Sequence, residues 1–180
     1  MNAALLTDAR HELGQMPALL ESLLDGLDAE GARTRPALAE WSPVEIVCHL
    51  RDEETEDFGA RLRVILTGAD NFVRIDPERW AEERRYREAT LPEVLGAFRA
   101  RREESLDLLR SIAPEALDGS RSLGRLGRLS GLDLVAAWVA HDRIHLAQLA
   151  ATLARVWTLR WAPLRTDYAG PIPYPPDPKT

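Results

Sequence analysis

Residues Gly131 to about Val156 read as one long helix whose first half is apolar nearly all round: Leu132, Leu134, Val135, Ala136, Ala137, Trp138, Val139 and Ala140. A helix without a polar face must be central among other helices or shared with a second subunit. Ser130 stands where it can cap this helix. Three partner segments are legible. The first runs from Ala3 to Leu27 with leucines at helical spacing, and Pro17 is expected to kink or break it. The second starts at a capping box, Ser42 with Glu45, carries Pro43 at its first position, and runs to about Thr67 before Gly68. Thr90 and Glu93 form another box that opens the third helix, Leu91 to about Ile112. Gly31–Glu40, Asn71–Ala89 and Gly119–Gly131 read as connections, and no segment reads as a convincing strand. After Trp161 come six prolines between Pro163 and Pro178, which predicts an extended tail, a strap held through Tyr168 and Tyr174 or a disordered segment.

The chemistry-bearing residues sit on two of these helices. His141 and His145 are four apart, so a helix stacks their imidazoles on one face, one turn apart. Their stripe continues through Leu134, Trp138, Gln148 and Thr152, which turns it toward the core. Buried imidazoles need partners. His49, on the second helix, supplies a third ring. Three neutral imidazoles suit a first-row metal with a coordination position left for water or substrate; hydrogen-bonded histidines would account for the same spacing. Asp52, Glu53, Glu56 and Asp142 are candidates to accept the outer ring N–H groups. The stripe of His49 holds Glu45, Glu53 and Glu56, while Val44, Val47, Phe58, Leu62 and Ile65 lie on the other side. Either this helix bends and is buried all round near its start, or the acids belong to the site.

Other classes are disfavoured. A net charge of −6 argues against a dedicated nucleic-acid binder. The arginines Arg79, Arg84, Arg85, Arg87, Arg99, Arg101 and Arg102 alternate with glutamates and read as a solvated, ion-paired face. One cysteine, Cys48, excludes an internal disulfide and reads as a buried structural thiol. Asp142 stands where a zinc-protease helix carries its glutamate, and the downstream signals of such proteases are missing. A start without a basic region, and no apolar run of membrane-span length, make the cytoplasm the expected compartment and exclude a membrane partner.

The run Trp41-Ser42-Pro43-x-Glu45-x-x-x-His49-Leu50, followed by His141-Asp142-x-x-His145-Leu146-Ala147-Gln148, resembles the DinB-like (also called YfiT-like) superfamily over about residues 3 to 157. The resemblance implies an all-α fold, a four-helix bundle of the DinB-like type over residues 1–160 with an extended proline-rich tail over 161–180. It also implies a homodimer and a divalent metal (zinc, nickel or manganese) held by His49, His141 and His145. Characterised relatives include transferases and isomerases that use mycothiol or bacillithiol, and others are described as metal-dependent hydrolases.

The leading expectation is a metal-dependent enzyme that transfers a low-molecular-weight thiol to an electrophilic small molecule. The metal lowers the pKa of the bound thiol. Glu53 or Asp52 then orients a ligand or shuttles a proton, or is a solvated acid. Arg121, Arg125 and Arg128 are candidates to bind the carboxylates of a thiol cofactor. The alternatives are a hydrolase whose metal activates water, and a non-catalytic metal-stabilised dimer that binds a ligand or serves in stress protection.

Overall fold

The computed structural model describes residues 2–69, 74–122 and 127–172. Four long helical rods make the body. They are α1 (Asn2–Leu24), a composite rod starting with α3 (Pro43–Glu53), α6 (Leu91–Ser111) and α7 (Gly131–Arg160). Short helices α2 (Ala29–Arg33) and α5 (Pro77–Glu83) lie in the connections. α1 packs on α6 and α7, and α3 packs on the same two helices, which closes the bundle. Pro17 lies inside α1, which continues through it unbroken.

The start signals work as the residue pattern requires. The Ser42 backbone N–H and hydroxyl both donate to Glu45, at 2.9 and 2.7 Å. Ser130 and Asp133 cap α7 reciprocally, through contacts of 2.9 and 3.1 Å. Gly68 ends the composite rod in the left-handed conformation at φ 77°, which glycine adopts without steric cost.

The expectation of no strand needs correction. β1 (Ser120–Ser122) and β2 (Arg128–Ser130) pair antiparallel, Ser120 facing Ser130, immediately before α7. Three-residue strands are too short to show an alternating pattern. Past α7, Tyr168 is fully exposed, so it straps nothing down. Tyr174 lies outside the described residues.

Two apolar clusters form the core. One gathers Leu20, Val44, Val47, Leu50, Tyr86, Phe98 and Leu149. The other gathers Leu6, Leu13, Phe58, Leu62, Leu109, Leu134 and Trp138. Between them lies a polar layer. The Arg102 guanidinium sits 5.0 Å from the Phe98 ring of one cluster and 5.8 Å from the Trp138 ring of the other. It donates to Glu54 at 2.9 and 2.6 Å, to Asp142 at 2.6 and 3.0 Å, and to the Leu13 carbonyl at 2.8 Å. Trp138 Nε1 donates to the same Glu54 at 3.1 Å. Arg102 is thus not part of a solvated face. It is 1% exposed and ties the composite rod, α1, α6 and α7 together.

The composite rod explains a conflict in its apolar pattern. α3 is buried nearly all round from Pro43 to Leu50, then one π-helical turn (Glu54–Phe58) leads into α4 (Gly59–Thr67). In an uninterrupted α-helix, Phe58 would lie about 180° from His49. The wider turn sets all following side chains back by about 100°. Phe58 therefore reaches the histidine side of the bundle, with its ring 5.0 Å from that of His141.

Glycine is required where the π turn closes. A Cβ on Gly59 would lie 2.3 Å from the Glu54 carbonyl oxygen, whereas one on Gly96, exposed in α6, meets nothing within 4 Å. Gly59→Ala is expected to destabilise the fold by about 1–3 kcal/mol, as other overpacked sites do. Gly96→Ala is expected to stabilise it by about 0.5–1 kcal/mol. Urea unfolding of both variants beside the wild type measures the contrast, and equal effects would show that the π turn imposes no steric demand.

Candidate metal centre

α3 delivers His49 and α7 delivers His141 and His145 to one point in the polar layer. Their Nε2 atoms lie 3.1 Å (His49–His145), 3.4 Å (His49–His141) and 3.1 Å (His141–His145) apart. Among the described residues this is the group of three or more candidate ligands whose donor atoms could share one metal ion. His49 packs against Trp41, ring centroids 4.9 Å apart, so an aromatic ring from each core cluster borders the histidines.

The triangle has the size a divalent ion requires. Metal–nitrogen bonds of about 2.0–2.1 Å put two ligand nitrogens about 3.0 Å apart at a right angle and about 3.4 Å apart at the tetrahedral angle. Proton bookkeeping points the same way. Nδ1 of His145 lies 2.7 Å from Gln148 Oε1, an acceptor, so this nitrogen carries the proton and Nε2 presents its lone pair. His49 Nδ1 is buried with no hydrogen-bond partner, and the nearest carboxylate oxygen, Glu53 Oε1, is 3.7 Å away. With His145 offering its Nε2 lone pair, a cation at the point where the three Nε2 atoms meet would be held by all three rings.

Burial keeps the rings neutral. It pushes His49 well below the usual imidazole range, with the nearby His145 and His141 adding to the effect. His141 is lowered to about 3 by burial, then by His145 and the Arg102 charge. Burial also lowers His145, partly offset by its bond to Gln148. Neutral imidazole is the form that binds metals.

The other sequence-selected residues are distributed unevenly. Glu53 faces His49 and is buried, and burial followed by the charge of Asp57 raises its pKa. Asp52 lies elsewhere, accepting from Arg51, Arg84, Arg101 and the Tyr86 hydroxyl at 2.6–3.0 Å. Burial raises its pKa, but the bonds from Arg51, Tyr86 and Arg84 outweigh this and hold the carboxyl at about 2. Glu56 pairs with Arg84, and Asp142 with Arg102. Arg121 and Arg128 belong to the hairpin, and from the start of α7 to His141 is about 15 Å of helix. Arg125 lies outside the described residues. The pattern missed Gln148 as the acceptor for His145. Its spacing, i+3 on the histidine stripe, was the available signal. Cys48 is fully buried, with its thiol pushed up to about 12, mainly by burial.

A sequence model described as the DinB superfamily matches residues 12–149. No curated protein matches the chain. Among solved structures, one described as YfiT from Bacillus subtilis, a probable metal-dependent hydrolase with an unusual four-helix bundle topology, superposes with a TM-score of 0.74 at 18% identity. The match covers 87% of this chain and 89% of that one, and at this identity it shows the shared fold.

The depressed histidines set a pH dependence for the metal-free protein. The unfolded rings titrate near about 6.5, above the folded ones, so between the two values the unfolded chain binds more protons. Stability is then fully present above the unfolded value and is lost as pH falls. The expected slope is about 1.4 kcal/mol per pH unit for each ring protonated only on unfolding. Urea unfolding of chelator-treated protein between about pH 7.5 and pH 5 measures it. A His141→Gln/His145→Gln double variant should show a shallower slope, and an identical slope would remove the rings as its source.

Proposed function

The chain belongs to the DinB superfamily, and on that footing we propose that it is a metal-dependent enzyme acting on a small molecule. In this reading His49, His141 and His145 hold a divalent ion, zinc, nickel or manganese, and the reaction transfers a low-molecular-weight thiol to an electrophile. The observation that carries it is the convergence of three Nε2 atoms within 3.4 Å while His141 remains partly exposed, so that a buried ligand set reaches solvent. A second reading, hydrolysis with water as the nucleophile, is favoured by the fold shared with YfiT, described as a probable metal-dependent hydrolase.

A bound ion would supply the same chemistry in both readings, lowering the pKa of a thiol or water so that it attacks as an anion near neutral pH. The residues around it do the rest. Gln148 holds His145 in the tautomer that offers Nε2. Glu53, whose carboxyl oxygen lies 3.7 Å from His49 Nδ1, would orient that ring from behind while Nε2 holds the ion. Trp41 and Phe58 wall the site with apolar rings, and such low-polarity surroundings strengthen electrostatic interactions at the ion. Arg102 fixes Asp142, and with it the turn of α7 that carries His141.

The outer face of α7 suits a homodimer. Ala136, Ala137, Ala140, Ile144 and Ala147 are exposed there, so the helix that reads as apolar all round leaves one apolar face uncovered within the monomer.

Turnover of an epoxide or activated halide, measured with and without added thiol on metal-loaded protein, tests the proposal. Dependence on both thiol and metal, with loss in His145→Ala, is the expected result. Turnover without thiol would favour the hydrolase, and unchanged turnover in His145→Ala would sink both readings. Glu53→Gln is expected to weaken metal binding by about 10–100-fold, read by competition with a chromophoric chelator.

A further inference from the structure

On another part of the surface, α2 and the turn after it open onto a cleft of about 910 Å³ whose lining includes Ala29, Arg33, Arg35, Leu38, Arg87 and Leu159. We propose that this cleft binds an organic anion, a carboxylate or phosphate head on an apolar body, with Arg33 and Arg87 holding the head. The proposal does not depend on the histidine site.

Charge favours an anion here. The chain carries a net −6, and its arginines are largely spent on acids: Arg84 on Asp52 and Glu56, Arg99 on Glu21, Arg101 on Asp52, Arg102 on Glu54 and Asp142. Arg35, on the cleft wall, is likewise neutralised by the buried Glu45. Arg33 differs. Its Nε donates to the Arg87 carbonyl at 3.0 Å and its Nη2 to the Ala89 carbonyl at 3.2 Å. Carbonyls orient the guanidinium without cancelling its charge, and donors remain for a ligand. Among the described residues no carboxylate pairs with Arg33 or Arg87. Glu30 is the acid on the lining, one carboxylate against two uncompensated guanidinium groups.

The guanidinium groups are also preorganised. Arg87 rides on the turn Tyr86–Glu88, which Arg85 enters at φ 54° and ψ 48°, a left-handed conformation that non-glycine residues seldom hold and that recurs at ligand clamps. The turn is pinned from below. Tyr86 is 1% exposed, its hydroxyl donates to Asp52 at 2.7 Å, and the Arg87 carbonyl receives Arg33. A second recess of about 580 Å³ shares Arg33, Arg35 and Arg87, so the guanidinium groups stand on a wall between two hollows.

The cleft has an apolar lip as well. Leu38 is 96% exposed and Leu159 52% exposed, and both line the cleft. Ala29, Pro36, Ala37, Leu38 and Leu159 give this cleft an apolar wall beside its guanidinium groups, the pairing in which polar groups orient a ligand and apolar walls hold its body. Arg-anion pairing in a fork geometry then selects a carboxylate or phosphate.

Nitrogen–proton correlation NMR of the full-length protein, titrated separately with octanoate, octyl phosphate and the neutral octyl glucoside, tests this. The anions are expected to shift the amides of Arg33, Leu38 and Arg87 saturably, and the tighter of the two identifies the head group. Arg87→Glu, at an exposed position, is expected to weaken binding about tenfold or more with an unchanged spectrum elsewhere, and Arg33→Gln should weaken it as well. Octyl glucoside binding as tightly as the anions would overturn the proposal, as would affinities unchanged in both variants.

Discussion

The bundle is organised around one buried cation. Arg102, on α6, is enclosed between two apolar clusters and reaches three other segments at once, the π turn through Glu54, α7 through Asp142 and the Trp138 ring, and α1 through the Leu13 carbonyl. Such a group is costly to desolvate, and removing one partner from a buried pair typically costs about 3–5 kcal/mol because the other charge is left unpaired. The arrangement therefore specifies more than it stabilises. It admits one rotation of α7 and one register of the composite rod, because Asp142 and Glu54 must both meet the same guanidinium. His141 is the neighbour of Asp142, and Glu53 that of Glu54, so satisfying Arg102 also aims the histidine site.

The histidines share that polar layer and have a complementary role. They join α3 to α7 where the apolar clusters part, with Trp41 on one side and Phe58 on the other. The cluster brings three buried ring nitrogens within 3.4 Å of one another and leaves Nδ1 of His49 without a hydrogen-bond partner. A divalent ion would cross-link the two helices, so its binding energy would also be folding energy. The Arg102 network and the histidines thus form adjoining halves of one layer, one complete with protein groups alone and the other able to take a cation.

The sequence made the elements legible where local chemistry decides them. Ser42 with Glu45, Thr90 and Ser130 mark helix starts, Gly68 marks an end, and the i, i+4 histidines share a buried stripe as their spacing requires. What escaped depended on tertiary context. Arg102 looked like one arginine in an alternating charged run, and only the fold shows that Glu54 and Asp142 surround it. In the conflict over the two sides of the second helix, the start is buried all round, while of the acids on the His49 stripe Glu53 alone lies beside a histidine, Glu45 pairing with Arg35 and Glu56 with Arg84. The π turn that reconciles Phe58 with His49 follows from packing rather than from residue preference, and Gly59 is its one local mark. Pro17 was read by its propensity to break a helix, while packing on α6 and α7 holds α1 together.

On this reading three imidazoles, one from α3 and two from α7, meet at one point in space and form a cation site. Calorimetric titration of zinc into chelator-treated, tag-free protein tests it most directly, beside His49→Ala and His141→Ala variants whose helical content is checked by circular dichroism. The account predicts one ion bound per chain in the wild type and loss of that binding in both folded variants. Absence of uptake by the wild type, for zinc, nickel and manganese alike, would contradict it, as would binding that survives both substitutions.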